Sequence, residues 1–152
     1  MCILDRLTAT NFGLPFRHVP TYLAGYYQYK AGDQFTEGGK PVNGKRDICD
    51  IYAIMYETSE SVPTLDGTNA FTSPNLISTA RINNAKETNE WTYFKLPFIT
   101  LPGKFIDKEK LMDGKYNIAI VFTSSLEGDH FNGAIGSTLL IDEAELIYHS
   151  ED

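Results

Sequence analysis

The stretch DICDIYAIMYE, residues 47–57, decides the fold of this chain. Its apolar side chains recur at every second position, which is the period of a β-strand and not that of a helix. Successive side chains of a strand point to opposite faces, so the stretch divides into two rows. The first row therefore predicts the core-facing side of a sheet, and the second predicts an outer side rich in tyrosine. The rows are Cys49, Ile51, Ala53 and Met55, and Asp50, Tyr52, Ile54 and Tyr56.

The same period of two continues through most of the chain. Clusters of glycine, proline, asparagine and aspartate separate the strand-like runs, and only Asp107–Met112 has a helical pattern. Strands at this spacing without crossover helices predict one antiparallel two-sheet β-sandwich over residues 1–152, with its core from about residue 16 to residue 148. Shorter strands are candidates near Leu7–Phe12 and Phe71–Thr72. The main predicted strands are Tyr22–Lys30, Asp47–Glu57, Asn75–Asn83, Glu90–Phe98, Lys115–Ser124 and Ser137–Tyr148.

The composition argues against several functional classes. A length of 152 residues with 42% hydrophobic and 22% charged residues is typical of one globular domain. The net charge is −7, and the one basic cluster, residues 40–46, lies in a glycine-rich loop. A nucleic-acid partner is therefore not expected, since phosphate recognition needs clustered lysine and arginine.

No apolar run approaches the length of a membrane span, and residues 1–13 lack a secretory leader pattern. If the natural protein is exported, this chain is a mature or trimmed form.

Two cysteines, Cys2 and Cys49, are too few for a disulfide framework or a CxxC metal site. They could form one disulfide between the N-terminus and an early strand, or they could remain two unlinked thiols. We favour the second alternative because Cys49 belongs to an apolar row, where a thiol packs as a small hydrophobic side chain.

The side chains expected on the outer faces of the sheets are unusual. Threonine, lysine, glutamate and serine normally cover a solvated face, whereas these positions carry aromatic rings beside planar polar groups. Rings stack on the C–H face of a sugar, and polar side chains bind its hydroxyl groups. Alternatively, loops or a neighbouring domain cover the rings, or the rings form ordinary cross-strand pairs. The predicted ligand-binding residues are Trp91, Tyr93 and Tyr52 for stacking, and Tyr26, Gln28, Arg81 and Asn117 for hydrogen bonding.

Five segments in order give the chain a family resemblance: LPFRHVPTYLAGYYQYKAG (14–32), DICDIYAIMYE (47–57), LDGTNAFTSPNLISTARI (65–82), EWTYFKLPF (90–98) and YNIAIVFTSSLEGDHFNGAIGSTLLIDEAEL (116–146). They resemble the putative carbohydrate metabolism domain of Bacteroidetes surface and secreted proteins, some of which are labelled glycoside hydrolases of xylanase type. The resemblance runs from about Phe16 to Leu146. It implies a jelly-roll sandwich like that of carbohydrate-binding modules, within a longer protein located outside the cell or at its surface. The family offers no established catalytic residues to carry over.

A glycoside hydrolase is the alternative from the enzyme class. Hydrolysis requires two carboxyl groups across a cleft, one as the acid and one as the nucleophile or base. Asp50 and Glu90 stand at outward strand positions and Glu57 near a strand end, but no two of them share a motif. The sequence also lacks a GxSxG elbow, a Walker A loop, GxGxxG and HExxH. These carboxylates are therefore interpreted as solvated groups on an acidic surface, and no catalytic residue is assigned.

A structural calcium ion is the one cofactor that the sequence suggests, because carboxylates at loops and strand ends are its usual ligands. The candidate ligands are Asp66, Asp129 and Asp142. Asp66 and Asp129 each stand beside a glycine, which is equally typical of a β-turn. Ligation by these residues and simple turn formation both remain open.

Asp142 is the residue of the last predicted strand that most needs an explanation. One alternative is that its side chain points inward and has a partner. The other is a bulge near Asp142–Glu143, after which the opposite set of alternating side chains points inward. A buried carboxylate must be paired, hydrogen-bonded or metal-bound. We expect backbone amides, a tyrosine hydroxyl or an arginine to satisfy it, with a metal ion as the second choice. The two inward phases are Leu139 and Ile141, followed by Ala144, Leu146 and Tyr148.

Together the patterns and the resemblance predict a non-catalytic carbohydrate-binding domain whose partners are a glycan or polysaccharide and a neighbouring domain of the parent protein. A glycoside hydrolase with paired carboxylates is the first alternative. A structural or adhesion domain, whose outer aromatic rings pack against a neighbouring domain, is the second.

Overall fold

The computed structural model describes residues 14–66 and 69–148, without the side chains of Leu14, Pro15 and Asp129. Strands dominate, with one short helix and one 3-10 turn at Gly128–His130. The elements in chain order are β1 (Leu14–Pro15), β2 (Pro20–Lys30), β3 (Phe35–Glu37), β4 (Lys40–Pro41), β5 (Asp50–Glu57), β6 (Leu76–Arg81), β7 (Thr88–Pro97), β8 (Ile99–Thr100), α1 (Lys108–Met112), β9 (Tyr116–Thr123), β10 (Gly133–Ala134) and β11 (Thr138–Tyr148).

The strands form two principal sheets and one small one. The five-stranded sheet has the order β1-β9-β5-β6-β8, the three-stranded sheet has the order β11-β2-β7, and β10-β3-β4 form a small sheet. Every pairing is antiparallel. The chain passes repeatedly from one principal sheet to the other, as in double-sheet architectures. The predicted antiparallel two-sheet β-sandwich is confirmed.

The boundaries of the predicted strands agree closely with the structure. Each of the six main runs coincides with one of the long strands, and the helical pattern coincides with α1. Asp107 caps α1, since its carboxylate accepts the backbone N–H groups of Glu109 and Lys110. The candidate strand at Phe71–Thr72 is wrong, because these residues form a turn. The candidate strand at Leu7–Phe12 lies outside the described residues.

The core lies between the two principal sheets. Ile51 and Ala53 of β5, with Cys49 just before the strand, pack against Leu23 and Phe94 of the three-stranded sheet. Met55, the last residue of the predicted inner row, packs instead with Leu111 and Tyr116. Cys49 is buried and has a free thiol, as expected for a core-filling residue. Gly25 allows this packing, because a Cβ atom there would lie 2.8 Å from Cζ of Phe94. The tight β2–β7 contact positions the outer side chains of both strands.

A second apolar cluster covers the outer face of the five-stranded sheet. Tyr52, Ile54 and Tyr56 of β5 pack there under the loop between β5 and β6, which contributes Leu65 and Ala70. The Tyr56 hydroxyl accepts hydrogen bonds from the backbone N–H of Leu65, at 3.2 Å, and from a buried side-chain amide of β9. Both faces of β5 are therefore buried, whereas alternation in the sequence predicted one exposed face.

The last strand contains the expected bulge. Asp142 pairs with Tyr26, but the next paired residue is Glu145, opposite Ala24. Glu143 adopts a left-handed φ of 51°, which accommodates the extra residue. The inward row accordingly switches from Leu139 and Ile141 to Leu146, all of which pack against the core. Tyr148, also predicted to point inward, is instead exposed and contacts the rings of Phe16 and His18.

A buried carboxylate ties the small sheet to the sandwich. Asp47 accepts hydrogen bonds from the hydroxyls of Ser125, at 2.5 Å, and Ser137, at 2.6 Å. It also accepts the backbone N–H of Ala134 at 2.9 Å. Three donors from separate segments thus compensate the desolvation of one carboxylate.

Candidate functional site

The outer face of the three-stranded sheet is open, in contrast to that of the five-stranded sheet. Tyr26 of β2 and Tyr93 of β7 are direct cross-strand neighbours there. Their ring centroids lie 5.3 Å apart and their planes are inclined at 54°. Tyr93 is 52% exposed and Tyr26 is 36% exposed. The two rings therefore form an accessible aromatic surface.

Trp91 and Gln28 extend this surface along the strands. Trp91 precedes Tyr93 by two residues, is 47% exposed, and stands beside a register irregularity between the Tyr27–Thr92 and Tyr29–Thr88 pairs. Gln28 is half-buried and pairs with Leu140 of β11. It borders a shallow groove of about 320 Å³ with polar side chains of the neighbouring strands. Four of the seven predicted ligand-binding residues thus lie on one open face, which we term the aromatic face: Tyr26, Gln28, Trp91 and Tyr93.

Asp142 borders the aromatic face. It is exposed on β11, directly opposite Tyr26, and its Oδ1 accepts the backbone N–H of Glu143 at 2.9 Å. Of the two alternatives for Asp142, the bulge is correct and burial is wrong, because the extra residue at Glu143 changes the inward row without turning Asp142 inward. The sequence could not reveal its proximity to Tyr26, since that depends on the register between β2 and β11.

A groove of about 540 Å³ adjoins the aromatic face at the free edge of β7. Tyr93 and Thr92 line it from β7, and Asn83 and Asn84 line it from the connection after β6. No aspartate or glutamate is among the described residues that line this groove. Its amides and hydroxyls can donate and accept hydrogen bonds. Asn83, Asn84 and Thr92 were missed as ligand-binding candidates because isolated polar residues at a strand edge have no sequence signature.

The other three predicted ligand-binding residues, Tyr52, Arg81 and Asn117, lie on the five-stranded sheet, so the seven residues do not form one surface. Tyr52 is only 8% exposed and its ring lies 4.8 Å from that of Phe71 in an edge-to-face contact. The loop that carries Phe71 covers the outer face of the five-stranded sheet. Sequence alternation distinguishes inner from outer positions, but it cannot show that a loop folds back over the outer ones.

Arg81 and Asn117 have structural partners in that covered region. The Arg81 guanidinium forms a bidentate ion pair with buried Asp50, at 2.7 and 3.2 Å, and lies 4.4 Å above the Phe71 ring. Asn117 is 5% exposed and donates its amide to the Tyr56 hydroxyl at 3.1 Å. Arg81 also borders the edge groove, but Asn117 is inaccessible to a ligand.

The carboxylates considered for hydrolysis do not converge. Asp50 forms an ion pair with Arg81 at 2.7 Å, and Glu57 forms one with Lys110 at 2.8 Å. Asp50 and Glu57 lie at opposite ends of β5, about 23 Å apart at the rise of a strand. Glu90 is exposed on the other sheet. Paired acid and base chemistry needs carboxyl groups roughly 5–10 Å apart.

The structure describes the side chains of two of the three calcium-ligand candidates, Asp66 and Asp142. Within the part of the chain that the structure describes, no group of three or more histidine, cysteine, aspartate or glutamate side chains could hold a metal ion. Asp66 belongs to a turn in which its backbone N–H donates to Oδ1 of Asn69 at 2.8 Å. The side chain of Asp129 lies outside the described residues. Calcium binding therefore stays a prediction. Asp142 was a candidate ligand because a buried carboxylate needs a partner, but Asp142 is exposed.

The strongest pKa shifts lie between the sheets. Burial raises the pKa of the Cys49 thiol to about 11 and the pKa of the Tyr29 hydroxyl to about 12. The Tyr29 hydroxyl donates to the backbone carbonyl of Ser124 at 2.8 Å. Both shifts are explained by packing in the core and do not mark a chemical site.

Comparisons with known proteins identify similar domains. A model of the family described as "Putative carbohydrate metabolism domain" matches residues 1–147. The crystal structure of a putative glycoside hydrolase from Bacteroides thetaiotaomicron is 85% identical over 97% of this chain, with a TM-score of 0.96. A putative glycoside hydrolase from Bacteroides vulgatus is 46% identical over 95% of this chain, with a TM-score of 0.90.

The chain spans only part of these relatives, 43% of the first and 58% of the second. No curated protein matches the chain. Within residues 14–66 and 69–148, no helix has the length and apolar character needed to cross a membrane.

Proposed function

This chain belongs to the putative carbohydrate metabolism domain family, and from that membership we propose that it is a non-catalytic domain that binds glycans on the aromatic face. The observation that carries the proposal is the exposed Tyr26–Tyr93 pair, with ring centroids 5.3 Å apart and Trp91 nearby. A folded domain that leaves three large rings accessible on one sheet retains a surface for an amphipathic partner. Sugars are such partners, because their C–H faces stack on rings.

Hydrogen-bonding groups flank the rings on both sides. Gln28 lies on the same strand as Tyr26, and the edge groove beside Tyr93 adds Asn83, Asn84 and Thr92. A glycan stacked on the rings could thus direct its hydroxyls toward amides and hydroxyls at either end. Each such contact is individually modest, so we expect weak affinity for one site and stronger binding where several sites act together.

Binding is favoured over hydrolysis by the charges around the aromatic face. Asp142 lies opposite Tyr26 on the β11 side, but Tyr93 occupies the matching position on the β7 side. In the next row, Glu145 lies on the β11 side and Lys95 on the β7 side. Among the described residues of these two rows, no carboxylates face each other across the rings, as a two-carboxylate mechanism would require.

The proposal includes an extracellular or cell-surface location and a role as the glycan-targeting part of a longer protein. It is supported by the similar proteins from Bacteroides, which are longer than the region they share with this chain. A domain of this kind would hold a catalytic or adhesive neighbour close to its polysaccharide and raise the local concentration of the substrate.

A glycan array with matched variants tests the proposal. The wild-type chain should bind a defined group of glycans, and Trp91→Ala should reduce that binding by about tenfold through loss of one stacking contact. Phe105→Ala is the control, because Phe105 is an exposed ring in the loop before α1 and belongs to none of the strands of the aromatic face. Wild-type binding without any effect of Trp91→Ala would contradict the assigned face, and no binding to any glycan would contradict the function. Release of reducing ends from a bound glycan would instead indicate hydrolysis.

A further inference from the structure

We propose that Asp142 makes the aromatic face selective for uncharged glycans with neighbouring free hydroxyl groups. This inference rests on the proposed function, because it concerns the same face. It assigns a binding role to a residue that the sequence suggested only as a structural or calcium-binding carboxylate.

The position of Asp142 follows from the strand register. Asp142, Tyr26 and Tyr93 form one row across β11, β2 and β7. Side chains directly opposite each other in antiparallel strands point to the same face, with Cβ atoms about 5 Å apart. The Asp142 carboxylate therefore lies beside the Tyr26 ring, within reach of the hydroxyls of a sugar stacked on the pair.

The bulge holds the carboxylate in place. Oδ1 of Asp142 accepts the backbone N–H of Glu143 at 2.9 Å, and Glu143 has the left-handed φ of 51° that creates the bulge. β-Bulges often redirect a side chain at a binding site. Oδ2 has no partner among the described residues, so it can accept a hydrogen bond from a ligand. An ordered acceptor loses less conformational entropy on binding than a freely rotating one.

A carboxylate distinguishes two classes of glycan. Its two oxygens can accept hydrogen bonds from two neighbouring hydroxyl groups, and bonds to a charged acceptor are stronger than bonds to a neutral one. A uronate or sulfate group at the same place would be repelled. Glu145, the next paired residue on β11, adds a second negative charge, while Lys95 provides the nearest positive charge in that row. Lys95 is engaged with the Tyr22 ring, at 4.4 Å.

Asp142→Asn is the appropriate test variant. Asparagine keeps a side-chain oxygen for the Glu143 N–H, so the bulge is preserved, but it removes the charge and one acceptor. Glu109→Gln is the matched control, because it makes the same charge change at an exposed position in α1. Wild type and both variants would be compared on an array of neutral oligosaccharides of xylose, mannose, glucose and galactose. The array would also carry uronate counterparts of the three hexoses and sulfated counterparts of all four sugars.

We expect the wild type to bind neutral glycans only, and Asp142→Asn to lose about tenfold in affinity for them while Glu109→Gln does not. Wild-type affinity for the neutral glycans should change little with salt, since no charged ligand is involved. Equal wild-type binding of neutral and uronate glycans, or unchanged neutral binding by Asp142→Asn, would overturn the inference and leave the proposed function standing. No binding of any glycan by the wild type would overturn both.

Discussion

The phenol rings of Tyr26 and Tyr93 meet across two antiparallel strands with their centroids 5.3 Å apart and their planes inclined at 54°. Rings inclined at this angle do not form one flat strip. A sugar unit can rest against one ring while its edge contacts the other. This geometry favours a single glycan chain over the flat surface of a crystalline polymer.

The first prediction concerns the contribution of Tyr93. Tyr93→Ala should weaken glycan binding by about fivefold, because stacking on an aromatic ring contributes about 1 kcal/mol. Tyr93→Phe should retain most of the affinity, since it keeps the ring. Isothermal titration with a soluble oligosaccharide measures both variants. Equal losses for alanine and phenylalanine would indicate that the hydroxyl, and not the ring, makes the contact.

The second prediction concerns the buried carboxylate of Asp47. Asp47→Ala should lower the free energy of unfolding by about 2–4 kcal/mol, because it leaves the Ser125, Ser137 and Ala134 donors without their common acceptor. Asp33→Ala, at an exposed position, should change it by less than about 0.5 kcal/mol. Urea denaturation followed by circular dichroism measures both. Similar values for the two variants would show that the Asp47 bonds contribute little.

The third prediction is a loss of stability in alkali. In the unfolded chain the Cys49 thiol ionises near its ordinary pKa of 9.0, whereas burial raises its pKa in the folded chain to about 11. The stabilisation of the protonated thiol is therefore complete below pH 9 and is lost as the pH rises through 11. The free energy of unfolding should fall by about 1 kcal/mol between pH 8 and pH 10 from this group.

Cys49→Ala is the control for the alkaline effect. It should remove most of the loss between pH 8 and pH 10. A loss of similar size should remain at higher pH, between about pH 10 and pH 12, from Tyr29, whose pKa is raised from 10.0 to about 12. Urea titrations of both proteins at several pH values measure the difference. Identical pH profiles for wild type and Cys49→Ala would exclude Cys49 as the cause.

The sequence was sufficient to predict the sandwich because strand formation depends on local alternation. Cys49, Ile51 and Ala53 face the core as their positions in the row require. The break in alternation at Asp142–Glu143 left two explanations open, a buried carboxylate or a bulge, and the structure has the bulge. Local pattern therefore explains the strands and their inner faces.

The candidate site was predictable only in part. Alternation correctly places Tyr26 and Tyr93 at exposed outer positions. It places Tyr52 at an outer position as well, although Tyr52 is buried. What distinguishes them is the loop that carries Phe71, which folds over Tyr52 and not over Tyr26 or Tyr93. The proximity of Asp142 to Tyr26 depends on pairing between residues far apart in the chain. Neither long-range packing nor register is encoded in a local period.

The most direct test of the central claim uses Trp91, which is the single tryptophan of the chain. Because this half-exposed indole lies on the aromatic face, its fluorescence reports on ligand binding there without a label. Titration with soluble neutral oligosaccharides should shift the emission of Trp91 to shorter wavelength, with the same dissociation constant as calorimetry gives. Calorimetric binding with unchanged Trp91 emission would contradict the claim that the aromatic face is the glycan site.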